Sequence, residues 1–189
     1  MGSPDLMDGL VHKITALLTR EPRSPERIWR EEELQSQFAS LCEPGDAVSA
    51  AEVEGTIWEI WCDHSEEEAR GAIESVVDSI VRRRLGQAER MADVLVRDWP
   101  DWAEAWNKRA TLYFLLGRDA ESLADIQKTL ELEPRHFGAL CGLAQICMRM
   151  GDEGTAAFAL DRALTLNPHL PGVKETLSTI KASATRKVH

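Results

Sequence analysis

The chain has 189 residues, 43% of them hydrophobic, so a buried core needs neither disulfides nor a metal to hold it. Aromatic content of 6%, with Ala, Leu, Glu and Arg recurring throughout, favours helix over sheet. A net charge of -10 excludes a general nucleic-acid binder, which needs a cationic surface to displace counterions from phosphates.

In chain order, residues 1–64 read as an acidic extension of three helices. Ser3-Pro4-Asp5 is a helix start, with Met7, Leu10, Val11, Ile14, Leu17 and Leu18 on one face. Ser24-Pro25-Glu26 repeats that signal ahead of Ile28, Trp29, Leu34, Phe38 and Leu41. Glu43-Pro44-Gly45-Asp46 is a turn, and Ser49-Ala50-Ala51-Glu52 a capping box before Val53, Ile57, Trp58, Ile60 and Trp61. Trp58 and Trp61 share a face and are expected to pack inward. Charge is uneven: residues 1–68 hold 5 Lys/Arg against 16 Asp/Glu, and residues 69–189 hold 17 against 16.

Ser65-Glu66-Glu67-Glu68 is another capping box, followed by an apolar stripe from Ala69 to Val81 and by Arg82-Arg83-Arg84 at the helix end. Acids at the start and bases at the finish complement the helix dipole. From here a period emerges. Pro100, Pro134 and Pro168 stand 34 residues apart, as do Gly117 and Gly151. The unit is a helix, a glycine turn, a second helix and a terminating proline, repeated so that stacked hairpins bury each other. Residues 69–100 carry a degenerate copy, with Ala88, Ala92 and Val96 in place and Arg83 where the turn glycine belongs. Val173, Leu177 and Ile180 mark a capping helix at 172–183, and 184–189 is a basic tail.

Residues 103–168 resemble two tandem tetratricopeptide repeats (TPR). The likeness rests on Trp106, Tyr113, Gly117, Ile126, Leu130, Leu132 and Pro134 in the first copy. In the second it rests on Leu140, Leu143, Ala144, Gly151, Ala156, Leu160, Ala163, Leu164 and Pro168. Arg109 and Thr129 depart from the pattern, where an apolar residue and an alanine are usual. The implied fold is all-α: a TPR-like α-α superhelix of antiparallel helix hairpins over 65–183, with the N-terminal helical extension and the C-terminal capping helix.

The resemblance implies a concave groove lined by the first helix of each hairpin, here called the A helix. Its positions are Arg70, Ile73 and Val77, then Glu104, Asn107, Lys108, Thr111 and Phe114, then Cys141, Gln145, Met148 and Arg149. Some family members clamp the carboxylate of chaperone tails with Lys and Asn. Three of those clamp positions are Ile73, Val77 and Gly138 here, so the resemblance gives no support for that ligand. Asp101 and Glu104 are expected to cap the helix after Trp99-Pro100-Asp101-Trp102.

No catalytic arrangement, cofactor motif or metal set stands out. Asp63-His64-Ser65 has triad residue types, but adjacent residues cannot converge as a relay. Cys42, Cys62, Cys141 and Cys147 show no framework spacing, which suits reduced thiols in the cytoplasm or, after removal of a presequence, an organelle interior. Neither a transmembrane run nor a signal peptide is expected. The expected partner is another protein, through a peptide or helix, with no nucleic acid. Two roles stay open: an adaptor or assembly factor, or a permanent accessory subunit of a larger complex, organellar or not.

Overall fold

The computed structural model describes residues 4–19, 30–42 and 47–187, with backbone alone for 47 and 184–187. Among these residues there are ten helices and no strand: α1 (Pro4–Leu18), α2 (Glu31–Cys42), α3 (Ala47–Cys62), α4 (Glu67–Val81), α5 (Leu85–Asp98), α6 (Ala103–Leu115), α7 (Asp119–Leu132), α8 (Phe137–Met150), α9 (Glu153–Leu166) and α10 (Val173–Lys187). They form two compact units. One holds α1, the last turn of α3 and α4 to α7. The other holds α2, the rest of α3 and α8 to α10.

In the first unit, hairpin α4–α5 and helix α6 share a core of Ala69, Ile73, Val76, Ala88, Ala92, Leu95, Val96, Trp102, Ala105 and Leu112. Alanines at 88, 92 and 105, all fully buried, keep the helix–helix spacing short. Helix α1 packs on α7 through its apolar stripe, and Val11, Ile14 and Leu18 are buried. Each such side chain contributes about 1.5–3 kcal/mol by leaving water. In the second unit α8 and α9 form the hairpin, and α10 covers α9 with Leu177 and Ile180 buried. Helix α2 also touches α9, burying Leu34 and Leu41.

The inter-helix turns are where the period has its physical cause. Gly117 and Gly151 sit at φ of 71° and 81°, in the left-handed region. The following amides reach back five residues, Arg118 N to Tyr113 O at 2.8 Å and Asp152 N to Cys147 O at 2.9 Å, and close each helix end. Arg83 takes the same conformation, φ 58°, with Arg84 N bonded to Ser79 O at 2.8 Å. The degenerate repeat therefore keeps the turn and bears the strain of a side chain there.

Arg83→Gly should raise unfolding free energy by about 0.5–1 kcal/mol, because the left-handed penalty exceeds the added freedom of glycine. Gly151→Val should lower it by at least about 1–2 kcal/mol on the same ground. Gly154→Val, in helix α9 with only Asp152 Oδ1 at 3.6 Å from an added Cβ, should change it little. Thermal unfolding of the three variants checks the order.

Several boundaries differ from the sequence reading. Arg30 lies at φ 61°, which breaks any helix running through it, so α2 begins at Glu31. The proposed start at Ser24-Pro25-Glu26 lies outside the described residues, as does the turn Glu43-Pro44-Gly45-Asp46. Helix α3 begins at Ala47, which places Ser49 inside it rather than at its cap. The Ser65 capping box does not form: Glu66 is the cap residue without a side-chain bond, and its amide donates to His64 Nδ1 at 3.1 Å. Helix α10 runs to Lys187, so residues 184–187 are helix where a tail was expected.

Candidate protein-binding surface

Helix α6 opens with a buried polar cluster instead of a cap. Trp102 is its cap residue and makes no side-chain cap bond, Asp101 is exposed, and Glu104 is fully buried. Glu104 accepts from Asn107 Nδ2 at 2.8 Å and from Cys62 Sγ at 3.6 Å, and it ion-pairs with Lys108. Burial pushes the Lys108 ammonium down, and Glu104, aided by Cys62, more than reverses that. Residues 61–66 are stitched over this start. Trp102 Nε1 donates to Trp61 O at 2.9 Å, Trp99 Nε1 donates to Glu66 Oε2 at 3.1 Å, and the His64 ring lies 5.0 Å from that of Trp102.

The second unit treats the start of α8 in the same way. Buried His136 caps it, Nδ1 accepting from Ala139 N at 3.1 Å. The Trp58 ring meets His136 and Phe137 edge-on, each at 5.5 Å. Gly138 makes the approach possible, since a Cβ there would stand 2.5 Å from the Trp58 ring. One turn earlier on α3, Glu54 accepts from Asn167 Nδ2 at 2.9 Å. From α2, Phe38 packs on Phe137 at 6.3 Å, and Glu31 takes two bonds from Arg135 at 2.8 and 3.0 Å.

These placements sort the twelve groove positions expected from sequence. Glu104 and Asn107 are buried in the α6 cluster, and Ile73 is in the core at 2% exposure. Arg70 bonds the His64 carbonyl and faces Asp63 at 3.9 Å. Lys108, Phe114 and Cys141 are half-buried. Val77, Thr111, Gln145, Met148 and Arg149 are exposed. All five belong to the second half of an A helix. Sequence reasoning missed Val81 and Leu115, exposed at 74% and 43%. The available signal was their spacing of 34, each just before its turn.

Arg109 and Thr129, the two departures from the repeat pattern, share a partner. Arg109 makes two bonds to buried Asp125, at 2.7 and 2.8 Å, and one to Asp93 at 3.0 Å. Burial pushes its guanidinium down, and Asp125 more than offsets it. Thr129 Oγ1 donates to Asp125 O at 2.8 Å.

Three thiols are shielded: Cys147 is buried, and Cys62 and Cys141 are half-buried. Cys62 is pushed up to about 12 by burial, with Glu104 adding. Burial takes Cys141 to about 11 with help from Glu54, and Cys147 to about 12 with help from Asp152. Folded values above the ordinary 9.0 mean a contribution present in full below pH 9 and lost as pH climbs toward 11–12. At pH 8, iodoacetamide should modify exposed Cys42 at least about tenfold faster than the other three, and all four alike in urea. Peptide mapping of the alkylated chain reads this directly.

The tetratricopeptide-repeat family profile matches residues 103–136 and 137–170, consecutive copies of one hairpin each. Residues 103–170 of this chain are two tetratricopeptide repeats. A TPR repeat-containing protein of Rhizobium etli is 33% identical over 135 residues, 71% of this chain and 66% of that protein. The Hsp70-Hsp90 organizing protein of Triticum aestivum is 30% identical over 79 residues, 42% of this chain and 14% of that protein. The chain thus spans just under two thirds of the first relative's length and a small part of the second's. Among solved structures, the TPR2B domain of yeast Sti1, in a structure titled as its complex with pHsp70, aligns with a TM-score of 0.56 at 18% identity. It covers 65% of this chain and 99% of that one, a likeness of fold. Tetratricopeptide repeats are protein-interaction modules, and no described helix is long and apolar enough to cross a membrane.

Proposed function

We propose that the chain is an adaptor or assembly factor that takes a peptide or helix of a partner protein on its A helices. The observation that carries this is where apolar surface stays open. Seven large hydrophobic residues are exposed among those described, and four of them, Val77, Val81, Leu115 and Met148, lie on α4, α6 and α8. Of the other three, Val94 lies on α5, Leu6 on α1 and Val48 on α3, and none lies on α7, α9 or α10. Exposed apolar side chains gathered on equivalent faces of a repeat indicate a docking surface more than scattered ones do.

The partner segment is amphipathic. In the first unit its apolar side meets Val77, Val81, Phe114 and Leu115 beside Thr111; the second unit has a contact of its own, Met148 beside Gln145 and Arg149. A chaperone C-terminal carboxylate finds no clamp, since Ile73 is in the core, Val77 is apolar and Gly138 lies under Trp58.

The test is capture of the co-purified partner by Val81→Glu/Leu115→Glu. Both residues are exposed, so the melting temperature should stay within about 3 °C. Partner capture should fall at least about tenfold, because charges entering an apolar contact lose more than 1.4 kcal/mol. Undiminished capture would reject the A-helix surface. Loss with Glu32→Lys in its place would promote the accessory-subunit role, with the extension docking on a neighbour.

A further inference from the structure

We infer that the start of α8 is a socket for a helical segment bearing a tryptophan with a carboxylate one turn before it, and that residues 47–58 of α3 are an occupant supplied by the chain itself. The inference deepens the proposed function, on whose reading of the chain as a partner-binding protein it rests, by naming the chemistry of a second partner contact.

The socket is specific in shape and charge. Its floor is Gly138, where a Cβ would come within 2.5 Å of Trp58 Cη2 and 3.1 Å of Cζ2. Its walls are His136 and Phe137, 0% and 1% exposed, both presenting edges to the indole at 5.5 Å. Asn167, itself fully buried and held by accepting from His169 N at 3.0 Å, aims its amide at the Glu54 carboxylate. Glu54 and Trp58 are four residues apart, so one face of any helix can present both groups. Even the Trp58 indole N–H is turned toward Glu54 Oε1, 3.4 Å away.

The occupant is held by this socket more than by its own helix. Gly55 lies in the interior of α3 with nothing within 4 Å of an added Cβ, so packing gives no reason for a residue that weakens helices. Val53, Thr56 and Ile57 around it are β-branched and also poor helix formers. Of residues 48–58 only Ala50 and Ile57 are buried, Val48 is 69% exposed and Trp58 is half-buried. A segment that adds only Ala50 and Ile57 to its two anchors can exchange for a partner helix with the same two groups.

The test uses the full chain and a fluorescent synthetic peptide of residues 47–58. Glu54→Ala/Trp58→Ala, which vacates both anchor sites, should bind the peptide at least tenfold more tightly than the wild-type chain. Adding Gly138→Ala should abolish that gain, although alanine suits a helix better than glycine. A peptide with alanine in place of the tryptophan should not bind. Failure of the vacated chain to bind, or indifference to Gly138→Ala, would overturn the socket. Hydrogen exchange on the wild-type chain needs no variant to fold: amides of residues 50–58 should exchange at least a hundredfold faster than those of 139–147. Equal protection would overturn the exchangeable occupant. Because the probe is a peptide of the chain's own sequence, failure here leaves the Val81–Leu115 surface standing, and failure of that surface leaves the socket standing.

Discussion

Asp125→Ala should lower the unfolding free energy by about 3–5 kcal/mol, because it strips the closest partner from a largely buried charge. The Arg109 side chain is 17% exposed, that of Asp125 4%, and the two share parallel bonds of 2.7 and 2.8 Å. With Asp125 gone, Arg109 keeps Asp93, whose side chain is 52% exposed, and its faces over the Trp106 ring at 5.0 Å and the Tyr113 ring at 5.5 Å. Melting should drop by about 10 °C for a chain of this size. Arg109→Leu/Asp125→Leu should recover most of the loss, since an apolar pair needs no desolvation and restores the residue type usual in the repeat at 109. If the single variant melts within about 2 °C of wild type, the pair is not buried as described.

Glu104→Ala should be of similar size, about 3 kcal/mol, for a related reason. Three groups depend on that carboxylate: the Lys108 ammonium, the Asn107 amide and the Cys62 thiol. Lys108 is 19% exposed, so its charge cannot be rehydrated without moving the helix start. A second readout separates this cluster from a generic core defect. Glu104 helps hold the Cys62 thiol above its ordinary range, so its removal should quicken alkylation of Cys62 while Cys147, in the other unit, keeps its wild-type rate. Lys108→Met in the Glu104→Ala background should return part of the stability, because it removes a half-buried charge that has lost the Glu104 carboxylate.

The repeats were legible because they are local and periodic. A glycine at a left-handed turn and a proline after the second helix recur at a fixed spacing, and Gly117 and Gly151 adopt the conformation that their spacing implied. The strained copy at Arg83 was legible for the same reason. Inward packing of Trp61 followed from its helix face, and it is 5% exposed. What could not be read was which face of an A helix stays open. Glu104 looked like a cap acid and Asn107 like a groove residue, yet both are buried with Cys62, 42 residues before Glu104. Likewise nothing in the pattern couples Glu54 to Asn167, 113 residues later. Arg109 was visible as a departure, but its acid lies on the opposite helix of the hairpin, where no repeat rule places one. Contacts between an aperiodic extension and a periodic array leave no spacing signal in either.

That burial also changes how a binding experiment must be designed. Asn107→Ala removes a bond inside the Glu104 cluster, so weaker binding by that variant would report stability as much as recognition. Glu31→Lys has the same defect, because Glu31 holds Arg135. Glu32 is exposed and suits the control better.

The most direct measurement is hydrogen exchange of the full chain with and without its co-purified partner. Binding on the A helices predicts that added protection concentrates on residues 77–81, 111–115 and 145–149. The outer helices α5 and α7 in one unit and α9 in the other should exchange as before. Protection confined to α5, α7 and α9, or to the acidic extension with the A helices unchanged, would contradict the proposed mode of partner binding.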